Sequence, residues 1–274
     1  MNKVTTLTVQ AMKERSEKIV MLTAYDALFA ALEDQAEIDI ILVGDSAGNV
    51  VAGLETTLPV KMEHMLYHTS CVSRVVKRAM VIADMPFMSF QISPEHALKN
   101  AGRFMKESGA HGVKLEGGEV MASTVKRITD VGIPVMGHIG LTPQSIHRFG
   151  GYNIRGKKNS EAEQLMRDAI ALEQAGAFAI VLEKVDKKAA SDITKSLRIP
   201  TIGIGSGKEC GGQVLVVYDM LGLFEQFKPK FVRRYLELSK EVTQAFQKYR
   251  EDIKSGDFPG PNECYGAGDE SPMI

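Results

Sequence analysis

The chain has 274 residues, of which 44% are hydrophobic and 24% charged, and its formal net charge is −1. That length suits one large domain, the charge supplies no long-range field to recruit nucleic acid or an anionic membrane, and the three cysteines (Cys71, Cys210 and Cys264), scattered without a CxxC pair, argue against a disulfide framework or a zinc knuckle. Residues 1–18 lack the apolar core of a secretory signal, and no apolar run approaches the ~18 residues of a membrane span, so the expectation is a soluble cytoplasmic protein.

Along the chain, apolar runs at Ile19–Tyr25 and Ile38–Asp45 come first and read as strands. Residues 61–77 carry a weak helical period and lead into a third run, Met80–Phe87. Ser93-Pro94-Glu95 then sets a cap residue, a proline at the first helical position and an acid in the first turn. The segment it opens stops at Ser108-Gly109. A fourth run, Gly112–Gly117, a weakly periodic stretch over 119–131 and a fifth run, Pro134–Leu141, continue the pattern. Asn159-Ser160-Glu161 begins a helix that closes at Ala175-Gly176. Ala177–Val185 is a strand, Val185–Leu197 fits a helix, and Pro200–Gly207 and Val214–Met220 complete eight runs.

These runs are continuous rather than alternating, as expected of strands buried on both faces. Strand–helix alternation implies parallel strands with right-handed crossovers, and eight units favour a closed (β/α)8 TIM barrel over an open doubly wound sheet. The expectation is a single α/β barrel domain over 1–260. It includes a long charged C-terminal helix from about Pro229 to Lys254, either an extra layer on the same subunit or a packing element between subunits. Residues 261–274 are expected to form a mobile tail, being rich in Gly, Pro and acid.

Barrel enzymes build their sites at the C-terminal ends of the strands. Four runs, the second, third, fourth and sixth, end in or near a carboxylate: Asp45, Asp84, Glu116 and Glu183. A lone acid after a strand is more often a helix cap or a salt-bridge partner. Four such ends in one chain are better explained by a shared cation, because unpaired carboxylates in a partly dry site repel one another. Oxygen ligands without cysteine favour a hard ion, Mg²⁺ first.

Lys114 lies two residues before Glu116 and shares its face. It could bind a substrate carboxylate, form a Schiff base, or simply pair with Glu116. His138 ends the fifth run, placed to hydrogen-bond substrate, to ligate metal, or to serve as a satisfied structural histidine. Gly203-Ile204-Gly205-Ser206-Gly207 is a weak phosphate signal that tight packing explains equally well.

The segments Gly44-Asp45-Ser46-Ala47-Gly48, Thr57-Leu58-Pro59-Val60, Ala83-Asp84-Met85-Pro86-Phe87, Lys114-Leu115-Glu116-Gly117-Gly118 and Gly137-His138-Ile139-Gly140-Leu141-Thr142-Pro143-Gln144 together resemble the ketopantoate hydroxymethyltransferase family. So do Phe149-Gly150-Gly151-Tyr152, Leu182-Glu183, Ile202-Gly203-Ile204-Gly205 and Phe258-Pro259-Gly260. The resemblance implies a barrel of the phosphoenolpyruvate/pyruvate type and a homodecamer. It also implies transfer of a hydroxymethyl group from 5,10-methylenetetrahydrofolate to 3-methyl-2-oxobutanoate, giving 2-dehydropantoate on the route to pantothenate and coenzyme A. Carried over by motif, Asp45 and Asp84 bind Mg²⁺ and contact the keto acid, Ser46 and Lys114 bind the keto acid, Glu116 belongs to the metal site, and Glu183 is the base. His138 is taken as a further substrate contact. After Gly260 the chain departs from the His-Ser-Phe ending of many members. Two rival readings are a metal-dependent keto-acid lyase or mutase of the phosphoenolpyruvate/pyruvate group and a ring-forming scaffold without chemistry.

Overall fold

The computed structural model describes residues 2–225 and 229–266. The described residues divide into two compact units, one of residues 2–217 with 229–232 and one of residues 218–225 with 233–266.

The first unit is a closed barrel of eight parallel strands in sequential order, with the last pairing back onto the first. The strands are β1 (Ile19–Thr23), β2 (Ile40–Val43), β3 (Met80–Asp84), β4 (Gly112–Glu116), β5 (Val135–Gly140), β6 (Ala179–Glu183), β7 (Thr201–Ile204) and β8 (Gly212–Leu215). The helices of this unit are α1 (Thr6–Glu14), α2 (Ala27–Gln35), the single turn α3 (Ala47–Val50), α4 (Met62–Ser73), α5 (Pro94–Arg103), α6 (Ala122–Thr129), the single turn α7 (Ile146–Phe149), α8 (Asn159–Gln174) and α9 (Lys187–Ser196).

Local chemistry sets the helix ends. Ser93 accepts from the His96 N–H and Pro94 fills the first turn of α5. That helix relaxes into a π turn (Phe104–Ser108) and stops at Gly109 in the left-handed conformation. Asp26 and Asp186 cap α2 and α9 in the same way.

Strand residues point alternately inward and outward. The outward set, including Val43, Val81, Val113, Leu115, Ile180 and Leu182, packs beneath the helices in one large apolar cluster. The inward set, including Met21, Ile40, Leu42, Met80, Ile82, Met136, Val181 and Ile202, fills the barrel together with Val4, Val9 and Met12 from around α1. Asp84 therefore continues the inward row of Met80 and Ile82, and Glu183 continues that of Ala179 and Val181.

The last run departs from the expected Val214–Met220: the strand is Gly212–Leu215, and Val217–Met220 turn into the short helix α10. Gly212 sits where the barrel closes. A Cβ there would lie 2.4 Å from the Ile19 carbonyl oxygen, so only glycine allows β8 this close to β1.

In the second unit, the helix expected over 229–254 is α11 (Leu238–Ser255), capped by Gly256 at φ 79°. It starts later because the preceding residues are committed elsewhere: the Tyr235 N–H donates to the Met220 carbonyl and the Leu238 N–H to that of Leu221. Pro261–Glu263 form a 3-10 turn, and residues 267–274 of the expected tail lie outside the described residues.

One buried group works against the fold. Glu33 on α2 is 5% exposed, and neither carboxylate oxygen has a hydrogen-bond partner among the described residues. Burial, reinforced by nearby Asp26, pushes its carboxyl up to about 8. The folded state thus holds a proton that the unfolded state releases at ordinary glutamate values. Its contribution to stability is full at pH below 4.5 and falls as pH rises towards about 8, by roughly 1.4 kcal/mol per unit. Denaturant unfolding from pH 5 to 8 should show this slope, and Glu33→Gln should flatten it and stabilise the protein at pH 8. An unchanged slope in the variant would remove Glu33 as its source.

Candidate active site

Strand register assembles the site. It places Asp84 beside Lys114 and Glu116 beside His138, while Gly140 neighbours Glu183. Each pair lies in the inward layer at the C-terminal ends, directly above the apolar filling. Asp45 follows β2 through Gly44 and reaches the same place, its backbone N–H 3.3 Å from Asp84 Oδ2. Asp45, Asp84, Lys114, Glu116 and His138 are all buried.

Lys114 Nζ donates to Asp84 Oδ1 at 2.6 Å. Burial alone would pull this ammonium down, but Asp84, Glu116 and Asp45 reverse that and raise it above its ordinary value. Lys114 therefore stays a cation, which disfavours the Schiff-base role that needs a free amine.

His138 lies between two acids, with Nδ1 3.5 Å from Glu116 Oε1 and Nε2 3.4 Å from Glu183 Oε2. Neither approach is aligned as a hydrogen bond, and Nε2 has no such partner among the described residues. Burial and the Lys114 charge pull the imidazole down, and Glu116 and Glu183 outweigh them, bringing it to about 9. A protonated ring cannot accept from Lys114 Nζ, 3.4 Å from Nδ1, so that contact is a close approach of two cations between acids.

Glu183 stands apart in access, with its side chain 17% exposed against 4% for Glu116. Its backbone is held firmly. The Glu183 carbonyl accepts from the Leu141 N–H at 2.8 Å, and Ser206 Oγ donates to the Leu182 carbonyl and accepts from the Val185 N–H. Gly140 permits this: at φ 97°, a Cβ would lie 2.3 Å from the Glu183 carbonyl oxygen. The next residue, Lys184, adopts φ 47°, a strained conformation for a non-glycine residue. Ser206, from the glycine-rich end of β7, thus ties neighbouring backbone in place. Ser46 Oγ pairs with Tyr25 Oη at 2.8 Å, at the ends of β2 and β1.

Gln144 was not singled out in the sequence, yet it links several of these groups. Pro143 opens a 3-10 turn whose first N–H groups have no partner within the turn. The Gln144 N–H donates to Glu116 Oε2 at 3.0 Å, and its side-chain nitrogen donates to Asp45 Oδ2 and to the Met85 carbonyl, both at 2.9 Å. Gln91 Nε2 donates to Gln144 Oε1 at 3.1 Å. Its signal in the sequence was its place at the end of the family-resembling segment Gly137–Gln144, after Thr-Pro just beyond a strand end.

Whether the acids suit a divalent cation depends on what their oxygens already do. Among the described residues, no group of three His, Cys, Asp or Glu side chains is gathered tightly enough to cage an ion. Asp45 engages Gln144, Asp84 engages Lys114, and Glu116 divides its oxygens between Gln144 and His138. Mg²⁺ does not need a protein cage, because it binds through one or two carboxylates and completes its shell with water and substrate oxygens. Asp45 supplies the argument that the donors fit. Burial pushes its carboxyl well above the usual carboxylate range, Asp84 and Glu116 push it further, and Lys114 and the Gln144 amide offset this only in part. A cation beside Asp45 and Asp84 would relieve that cost, and the donor set is hard oxygen throughout.

The sequence profile of the ketopantoate hydroxymethyltransferase family matches residues 3–261. The chain is 56% identical over 266 residues to the 3-methyl-2-oxobutanoate hydroxymethyltransferases of Chlorobaculum parvum and Prosthecochloris aestuarii, covering 96% of this chain and 96% of each relative. It is 54% identical over 263 residues to that of Syntrophus aciditrophicus, covering 96% of this chain and 97% of the relative. Among solved structures, a phosphonopyruvate hydrolase complex with oxalate and Mg++ superposes with a TM-score of 0.62 at 13% identity, over 96% of this chain and 93% of that one. A 2,3-dimethylmalate lyase of the PEP mutase/isocitrate lyase superfamily superposes with a TM-score of 0.60 at 15% identity, over 95% and 90%. At such identities these two likenesses speak to the fold alone.

Proposed function

The chain belongs to the ketopantoate hydroxymethyltransferase family, and from that premise we propose how the acids, lysine and histidine at the barrel mouth divide the work. The reaction transfers a hydroxymethyl group from 5,10-methylenetetrahydrofolate to 3-methyl-2-oxobutanoate and forms 2-dehydropantoate, on the route to pantothenate. Its difficult step is removal of a weakly acidic hydrogen from the tertiary carbon beside the ketone.

Mg²⁺ is the cation we assign to Asp45 and Asp84, with Glu116 as the third oxygen donor of the set. When bound, it would polarise the keto oxygen and stabilise the charge that develops there by several kcal/mol. Lys114, a fixed cation beside Asp84, and Ser46, oriented by Tyr25, bind the keto acid. His138, protonated between Glu116 and Glu183, offers a further donor to substrate.

Glu183 removes the C3 proton. The observation that carries this assignment is its difference from the other acids. Glu183 is partly open to the mouth and lies 3.4 Å from His138 Nε2, while Asp45, Asp84 and Glu116 are buried and engaged by Lys114, Gln144 and His138. A base so placed contributes about 10²–10⁴-fold. The new carbon–carbon bond then forms to the methylene carbon delivered by the folate: both bonds from that carbon to folate nitrogens break, water supplies the hydroxyl, and tetrahydrofolate leaves with two hydrogens, one from C3 and one from water.

No helix among the described residues is long and apolar enough to cross a membrane. We further propose a cytoplasmic homodecamer. Leu7 on α1 and Leu28 and Leu32 on α2 are 80%, 79% and 61% exposed, apolar surface of the kind that subunit contacts cover. Phe246, Tyr249 and Ile253 also share one face of α11 by their spacing.

Two measurements follow. Wild type should exchange the C3 hydrogen of 3-methyl-2-oxobutanoate with deuterated solvent, and Glu183→Gln should slow that exchange by about 10²-fold or more while still binding the keto acid. Exchange at the wild-type rate would remove Glu183 from the role of base. Light scattering at micromolar protein should give the mass of ten chains; a stable monomer or dimer would overturn the decamer.

A further inference from the structure

Gln144 reaches the ends of β2, β3 and β4 at once and carries no charge. Both hydrogens of its side-chain amide are engaged, one by Asp45 Oδ2 and one by the Met85 carbonyl, while its carbonyl oxygen accepts from Gln91. The orientation of the amide follows from these partners. Turned over, its oxygen would face two acceptors at 2.9 Å. Its backbone N–H separately holds Glu116 Oε2. The residue is buried.

We propose that Gln144 is a positioning residue for cation and keto-acid binding: its amide fixes one oxygen of Asp45 and ties that carboxylate to the end of β3, next to Asp84, without neutralising it. This rests on the reading that Asp45 and Asp84 hold the divalent ion. The neutrality of the amide matters. A lysine or arginine in this place would also orient Asp45, but as a charged donor it would compete with the cation for the same carboxylate. The charged donor of the site, Lys114, is instead directed at Asp84. Asp45 is engaged at Oδ2 by a neutral group, and among the described residues no charged side chain hydrogen-bonds to it in competition with the cation. Met85 follows Asp84 directly, so the contact to its carbonyl links the two carboxylate-bearing strand ends through one side chain.

The test uses the full-length protein and Mn²⁺ alone as the probe, titrated by electron paramagnetic resonance. Gln144→Met keeps nearly the same volume and loses the donors, and its unchanged backbone N–H still serves Glu116. It should weaken Mn²⁺ binding by about 10–100-fold, the usual effect of losing a group that orients a ligand. KM for 3-methyl-2-oxobutanoate should rise and KM for methylenetetrahydrofolate should not. Gln144→Asn, which keeps the amide but falls short of Asp45 by one methylene, should show the same loss and decides the matter if the Met variant does not fold. Wild-type Mn²⁺ affinity in a folded variant would overturn the positioning role and leave the metal site standing. Failure of the wild-type protein to bind Mn²⁺ would overturn the metal site, and this inference with it.

Discussion

The contact on which the site depends is the buried ion pair between Lys114 Nζ and Asp84 Oδ1, 2.6 Å long and closed off from solvent on both sides. Asp84 lies beside the buried Asp45 and Glu116, so the barrel places several acids where water cannot screen them. Lys114 and His138 are the cations set among them. Removing either partner of such a pair leaves an uncompensated buried charge, at a cost of about 3–5 kcal/mol. The pair is specified by register, since Asp84 and Lys114 are direct neighbours across β3 and β4. Shifting either strand by one residue would turn its acid or its lysine out of the barrel and an apolar residue in.

The same layer divides into fixed and available charge. Asp84 and Glu116 are engaged by Lys114, Gln144 and His138, and these contacts hold their orientation before any ligand arrives. Asp45 is held by a neutral amide, and its strongly raised carboxyl records charge that the protein leaves unbalanced. Glu183 sits at the edge, with its backbone clamped and its side chain partly open. The barrel itself does not determine this division. Structures at 13–15% identity, one a phosphonopyruvate hydrolase and another a 2,3-dimethylmalate lyase, share its path, so the chemistry belongs to the residues on the strand ends.

Much of the architecture was legible because it follows from local pattern. Continuous apolar runs of strand length, alternating with capped helices, leave few arrangements besides a closed parallel barrel, and the inward row of each strand could be extended to Asp84, Lys114, Glu116, His138 and Glu183. What stayed hidden depends on partners distant in sequence. The start of β8 at Gly212 makes sense only beside Ile19, and the late start of α11 only beside Met220 and Leu221. Gln144 is an ordinary turn residue until folding brings Asp45, 99 positions away, against its amide. Acids read from strand ends suggest a cluster in need of a cation. The folded chain answers part of that need itself, with Lys114 on Asp84 and a proton on His138, and the unbalanced remainder centres on Asp45.

The central claim is that Asp45 and Asp84 meet at one divalent cation beside the keto acid. Crystals of the full-length protein soaked with Mn²⁺ and 3-methyl-2-oxobutanoate, measured for anomalous scattering, test it most directly. The account predicts a peak at coordination distance from both carboxylates, with keto-acid density against Lys114 and Ser46. Keto acid bound at the mouth with no peak between Asp45 and Asp84 would contradict it.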